Sequence, residues 1–231
     1  MANNTLIEEF LEGKVDLIGF ADLYELEKSF PDLFANLNIK YPYAVSIGKS
    51  LSRGVLDTII DRPNPLYFSH YRQINYLLDR VTLEVASLIE KRGFSALPVP
   101  ASQYISRDPY AAHICHRRIA WQAGLGSRGL NNLLVNPVYG SAVRLASVLT
   151  DMKFETAAPV EDGCVRCERC VYACPAGAVA SEPEGFDLSK CLETLEKFRK
   201  IPFVSQHICG VCISVCRGGV GDTRLSHLCS P

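Results

Sequence analysis

A chain of 231 residues, 48% of them hydrophobic, is long enough for one sizeable core, or for one core plus a small metal-stapled module. Its formal net charge of −1 excludes a global basic field that would draw it onto nucleic acid or anionic lipid. No apolar run approaches the roughly 20 residues of a membrane helix, and the opening MANNTLIEEF lacks the basic-then-apolar order of a secretory signal. The expectation is a soluble cytoplasmic protein with no membrane partner.

Thr5–Lys14 predicts a short helix, with Leu6, Ile7, Phe10 and Leu11 on one face and Gly13 as its stop. Val15–Leu23 begins as a buried strand, and Tyr43–Leu51, opened by Pro42, is a second strand. The clearest helix is Tyr71–Arg92: Ile74, Leu77, Leu78, Val81, Val85, Leu88 and Ile89 recur at three-four spacing, and Gly93 ends it. FSALPVP is a strand ended by prolines. Ala111–Ala123 is a second helix, running into the glycines of GLGSRG. Leu130–Pro137 is strand-like, and RLASVLTD suits a strand or a short helix. This irregular mixture of strands and helices is an α+β or α/β layer.

The composition changes between Thr150 and Asp162, which divides the chain into an α/β module at 1–155 and a cysteine-rich module at 156–231. Eight of the ten cysteines lie between Cys164 and Cys216, a density that in a cytoplasmic chain means metal rather than disulfides. Cys164, Cys167, Cys170 and Cys174, followed at once by Pro175, have the C-x2-C-x2-C-x3-C-P spacing of the bacterial ferredoxin run, whose fourth cysteine binds the other cluster. Cys191, then Cys209, Cys212 and Cys216, supply the second group. The crossed logic gives one 4Fe-4S cluster to Cys164, Cys167, Cys170 and Cys216, and the other to Cys174, Cys191, Cys209 and Cys212. Arg217 stands where the repeat has proline, and EKFRKIPFVSQHI forms a long loop or helix between ligands. Structural zinc sites pair two separated C-x2-C hooks instead. Cys115 and Cys229 are left without a metal role.

Gly124-Leu125-Gly126-Ser127-Arg128-Gly129 matches G-x-G-x-x-G, but a helix-like segment precedes it and a strand-like one follows. That is the reverse of the dinucleotide-binding order. The bland reading is a tight helix-to-strand turn. His113 and His116 share a helix face without a third ligand nearby, and His70 packs or caps the long helix. The run KFRK at 197–200 is a solvated face that can also steer an acidic electron donor.

Ala123-Gly124-Leu125-Gly126, then Leu133-Leu134-Val135-Asn136-Pro137 and Tyr139-Gly140-Ser141, with the two cysteine groups behind them, resembles the epoxyqueuosine reductases and the related reductive dehalogenases. The resemblance covers roughly the C-terminal half. It implies a nitroreductase-like α/β module that binds cobalamin without a protein histidine on cobalt, followed by a ferredoxin-like module with two 4Fe-4S clusters. The pattern D-x-H-x-x-G is absent here. On this resemblance the corrin floor is Gly124, Gly126, Gly129, Leu134, Asn136, Gly140 and Ser141. Where the queuosine enzymes carry an acidic proton donor, the same register gives Tyr110, and a tyrosine is the choice of the dehalogenases. The usual epoxyqueuosine enzyme continues further, so the end of this chain soon after Cys216 weighs against tRNA as substrate. The reading is an oxygen-sensitive oxidoreductase that takes electrons from a low-potential donor protein. It passes them through the two clusters to a bound corrinoid, a corrinoid protein or a small organic substrate. The alternative is a non-enzymatic electron-transfer partner of a larger enzyme. An enzyme needs a concave site beside the proximal cluster; a carrier needs a flat surface.

Overall fold

The structure, a computed structural model, describes residues 2–103, 105–107, 110–161 and 163–218. In chain order its elements are α1 (Asn3–Leu11), β1 (Leu17–Asp22), α2 (Leu23–Ser29), β2 (Tyr43–Ser50), α3 (Arg53–Leu56), α4 (Pro65–Glu90), β3 (Ala96–Val99), β4 (Ser106–Arg107) and β5 (Tyr110–Ala111). There follow α5 (His116–Gln122), β6 (Ser127–Arg128), β7 (Leu134–Val135), β8 (Val143–Thr150), α6 (Arg169–Ala173), α7 (Leu188–Arg199) and α8 (Val211–Ser214). They form two compact units. One comprises Met1–Lys49, Gln73–Leu125 and Arg144–Val160; the other comprises Ser50–Arg72, Gly126–Val143 and Glu161–Pro231. The last break in the chain, after Val160, lies close to the compositional change. The second unit also takes in two upstream segments that carry no cysteine and so gave no compositional signal.

The first unit is built on a four-stranded sheet of order β1-β2-β8-β3. β1 and β2 are antiparallel, with Ile18 opposite Ile47 and Phe20 opposite Val45, and β3 and β8 are antiparallel, with Val99 opposite Ser147. β8 is therefore a strand, which settles the ambiguity of RLASVLTD in favour of its β-branched alternation. The core joins Ile7 and Leu11 of α1 to Phe20, Val45, Ile47, Ala146 and Val148 of the sheet and to Leu78, Val81, Val85 and Ile89 of α4. The three-four periodicity thus identified the buried face of α4. Phe154 stacks on Phe20 with ring centroids 4.7 Å apart, an arrangement that favours this packing beyond its area.

Helix boundaries differ from the sequence expectation where capping overrides periodicity. α4 begins at Pro65, not Tyr71, because Asn64 caps it: the Asn64 side chain accepts from Tyr67 N at 2.9 Å and its carbonyl from Phe68 N at 3.0 Å. The helix expected over Ala111–Ala123 is shortened to α5. Tyr110 and Ala111 pair instead with Arg107 and Ser106 in a hairpin, and Ile105 N donates to Ala111 O at 2.7 Å. The strand expected over Leu130–Pro137 shrinks to β7, paired with β6. Gly129 N donates to Leu133 O at 2.8 Å and Asn132 has φ of 57°, so a turn consumes the first residues of that run. Between the cysteine groups α7 forms, with the Asp187 side chain accepting from Lys190 N at 3.0 Å as its N-cap.

Candidate metal centre and adjoining cleft

The eight cysteines from Cys164 to Cys216 all lie in the second unit. α6 packs against α8, and these helices carry Cys170 and Cys212 respectively, while α7 carries Cys191. The thiol of Cys170 is pushed up to about 11, first by burial and then by the charges of Cys216, Cys164 and Cys167. The Cys209 thiol is also raised to about 11, by burial first and then by Cys191 and Cys174. Cys212 is raised further, by burial and then by Cys209, Cys191, Cys170 and Cys174. Cys191 is raised by burial and by Cys174. Cys170 thus lies near Cys164, Cys167 and Cys216, and Cys212 lies near Cys209, Cys191 and Cys174 and also near Cys170.

Among the described residues, no three His, Cys, Asp or Glu side chains are gathered for a single metal ion. A polynuclear cluster, whose four thiolates bind four separate irons, does not require three ligands within reach of one ion. Left-handed backbone at Arg166 (φ 51°) and Glu168 (φ 56°) on either side of Cys167 gives the tight wrap that the short spacing demands. Thiols this buried and this mutually repulsive ionise only against positive charge, which the irons would supply.

The Asn136–Ser141 turn seats Cys216. Asn136 Oδ1 accepts from Val138 N at 2.9 Å and Tyr139 N at 3.1 Å, and Asn136 and Gly140 exchange main-chain hydrogen bonds at 2.9 and 2.8 Å. The result is an Asx-capped loop. Gly140 has φ of +62°, and a Cβ there would lie 3.0 Å from Cys216 Sγ and 2.7 Å from Gly218 N. Ser141 N donates to Cys216 Sγ at 3.3 Å, and Asn131 Nδ2 donates to Ser141 Oγ at 3.0 Å.

The residues expected to form a corrin floor are distributed as follows. Gly126 and Gly129 back onto Val135, where added Cβ atoms would fall 2.4 Å from its O and 2.5 Å from its Cγ2. They let β6 and β7 approach. Leu134, Asn136 and Ser141 are buried. Gly124 belongs to the first unit and faces Ala157 and Ala158. Tyr110 lies in β5 of the first unit, and its side chain is outside the described residues. Cys229 is also outside them.

A cleft of about 500 Å³ opens in the second unit against Cys216. One wall is Ser50, Leu51, Ser52 and Arg53, another is Val138, Tyr139 and Ala142, and Cys216 with Arg217 forms the third side. Leu51 N donates to Ala142 O at 2.8 Å and joins the first two walls. Ser52 N donates to His70 Nε2 at 3.0 Å, so that nitrogen is unprotonated; burial lowers the pKa of His70 and keeps the ring neutral. The cleft is thus lined by neighbours of the expected floor residues rather than by those residues themselves. Its first wall was missed because nothing in the spacing of SLSRG announces proximity to a cysteine far along the chain.

His113 and His116 do not form a pair. His116 engages Ser147 Oγ and Pro100 O, each at 2.9 Å, whereas His113 engages Gln103. Among the described residues no helix is long and apolar enough to cross a membrane.

No family model matches the chain. The epoxyqueuosine reductase of Listeria monocytogenes is 37% identical over 106 residues, which is 42% of this chain and 28% of that enzyme. The chain therefore spans under a third of the length of such curated relatives in its matched stretch. Among solved structures, the catabolic reductive dehalogenase NpRdhA aligns with 91% of this chain and 30% of its own at a TM-score of 0.69 and 18% identity. A dehalogenase described as B12-dependent aligns with 75% of this chain and 25% of its own, at a TM-score of 0.59 and 17% identity. An epoxyqueuosine reductase solved with an epoxyqueuosine-modified tRNA-Tyr stem loop aligns with 92% of this chain and 64% of its own, at a TM-score of 0.57 and 22% identity. The last finding corrects the expectation that tRNA is an improbable partner. That expectation rested on where the chain ends, while the part held in common is the part present in an enzyme solved with tRNA. By sequence the chain is similar to the epoxyqueuosine reductases, and its fold is similar to theirs and to that of the reductive dehalogenases.

Proposed function

We propose that the chain is a cytoplasmic iron–sulfur reductase. Two 4Fe-4S clusters, on Cys164/Cys167/Cys170/Cys216 and on Cys174/Cys191/Cys209/Cys212, relay electrons from a low-potential donor protein to a molecule in the cleft beside Cys216. The observation that carries this is that Cys216, a member of one thiolate set, is also a wall of a concave cleft. A carrier that merely docks on a larger enzyme has no need of such a cleft. The donor set fits a cluster in three further respects: it is all thiolate, Ser141 N–H already points at Cys216 Sγ, and Gly140 leaves room beside that sulfur.

The relatives' names supply candidate substrates: epoxyqueuosine in tRNA, or a halogenated hydroxybenzoic acid. They also supply a candidate cofactor, B12. Leu51, Val138 and Ala142 offer an apolar wall, and Ser50, Ser52 and Tyr139 offer hydroxyls, a lining that fits part of a corrin or a small aromatic acid. A bound corrinoid would supply a low-potential cobalt centre. The protein's own residues would orient the ligand against Cys216 and exclude water from it. We assign the proton donor to Tyr110, on register alone.

The test is anaerobic. The clusters are reconstituted, cobalamin is added, the unbound fraction is removed by gel filtration, and visible and EPR spectra are recorded before and after reduction. Two cluster signals with retained cobalamin support the reading. Two clusters with no retained corrinoid remove cobalamin from it, and absence of clusters removes the reading altogether. With a working assay, Tyr110→Phe is expected to lower turnover at unchanged cluster content.

A further inference from the structure

Arg53 is the first residue of α3, yet its guanidinium is tied to the cysteine-bearing segment at the other end of the sequence. Nη2 donates to Cys216 O at 3.1 Å and to Ser214 O at 3.3 Å. Nη1 is buried and has no hydrogen-bond partner among the described residues. A buried donor without an acceptor is costly, and in a native fold it calls for an explanation. Of the eight cysteines, it is Cys216 whose charge acts on Arg53; Asp57 supports the cation and Arg217 opposes it. A guanidinium remains charged throughout the working pH range. A permanent, half-buried cation with an unpartnered Nη1 therefore stands beside one ligand of one cluster.

We propose that Arg53 raises the reduction potential of the cluster held by Cys164, Cys167, Cys170 and Cys216, and so makes it the electron-rich end of the pair, next to the cleft. This rests on the reading that both thiolate sets hold clusters. Reduction adds one negative charge, and a fixed cation in a medium of low dielectric stabilises the reduced form more than the oxidised one. Hydrogen bonds to cluster sulfurs act in the same direction. Arg53 Nη1 and Ser141 N–H, 3.3 Å from Cys216 Sγ, are the donors available on this side. In transfer between the clusters, the one on Cys174 gives up an electron, the one on Cys216 gains it, and no bond breaks. Arg53 biases that equilibrium.

The experiment is an EPR-monitored redox titration of the reconstituted wild-type protein and of Arg53→Gln, Arg53→Lys and Asp57→Asn, with iron counted in each. Arg53→Gln is expected to lower one midpoint by at least a tenfold change in the reduced-to-oxidised ratio, 59 mV for a one-electron couple, and to leave the other in place. Arg53→Lys keeps the charge and is expected to recover most of the shift. Asp57→Asn removes an exposed negative charge 3.5 Å from Arg217 and is expected to move the same midpoint upward. A wild-type protein without two clusters overturns the underlying reading. Intact clusters whose midpoints do not move, or move together, overturn the role of Arg53 alone. Should Arg53→Gln lose iron, an unmoved midpoint in Asp57→Asn overturns it equally.

Discussion

Replacing Gly140 with alanine perturbs the cluster seat through one methyl group. Two costs add. The backbone there has φ of +62°, which costs an L-residue about 1–2 kcal/mol. The new Cβ would lie 2.7 Å from Gly218 N and 3.0 Å from both Cys216 O and Cys216 Sγ, and overpacking of this kind costs about 1–3 kcal/mol. The sum is about 2–5 kcal/mol, directed at the loop that holds one ligand. Gly177 is the matched control. Its φ is +57° but an added Cβ meets nothing within 4 Å, so Gly177→Ala carries only the backbone cost. The assay is the rate at which iron is lost to a chelator under anaerobic conditions, followed with the EPR signal of each cluster. Gly140→Ala is expected to lose one cluster about tenfold faster than Gly177→Ala, since each 1.36 kcal/mol is a factor of ten. Equal rates for the two variants would refute the claim that the Tyr139-Gly140-Ser141 turn seats Cys216.

Two other outcomes follow from the same geometry. Burial lowers the pKa of His116 from its usual 6.5 to about 4, against a smaller raising effect from its bond to Pro100 O. The unfolded chain therefore takes up a proton that the fold refuses. Stability is full above pH 6.5 and falls as pH drops from 6.5 through about 4, by up to about 3 kcal/mol. His116→Gln should flatten that segment of a denaturant-midpoint profile, and an unchanged slope would refute the assignment. Cys212→Ala should reduce bound iron from about eight per chain to about four. Cys115→Ala should leave it unchanged, because Cys115 only precedes α5 and no metal partner is assigned to it; equal loss in both variants would refute the ligand sets.

How far the sequence could be read depended on the distance over which each signal acts. The four-residue rhythm of α4 and the three-residue rhythm of Cys164–Cys170 are local: the first led to the first unit's core, and the second runs through cysteines that lie near one another. Helix and strand ends were less legible because single side chains set them. Asn64 extends α4 upstream, and the left-handed Asn132 removes half of the strand expected before Pro137. The cleft was out of reach. Its walls come from 50–53, 138–142 and 216–217, and no periodicity links segments so far apart. The family resemblance pointed to the loop that forms part of the cleft wall, and there to its buried residues Asn136 and Ser141. Gly126 and Gly129 proved to serve strand approach, whereas Val138, Tyr139 and Ala142 face the cleft.

That loop has a mechanical consequence. Within seven residues, Val138, Tyr139 and Ala142 contribute to the cleft, while Gly140 and Ser141 contact Cys216. Hydrogen bonds from Val138 N and Tyr139 N to Asn136 Oδ1, and the mutual Asn136–Gly140 pair, tie these positions into one turn. A molecule that displaces Tyr139 or Val138 must therefore also alter the Ser141 N–H to Cys216 Sγ contact, since the turn has little slack to absorb the movement. Hydrogen bonds to cluster sulfurs change both potential and spectrum. Titrating the reduced protein with cobalamin, or with 3-bromo-4-hydroxybenzoic acid, should accordingly shift the EPR signal of one cluster and leave the other unchanged. Binding detected by gel filtration or calorimetry with both signals unmoved would show that the ligand sits elsewhere, and the cleft beside Cys216 would then lose its claim to be the site of reduction.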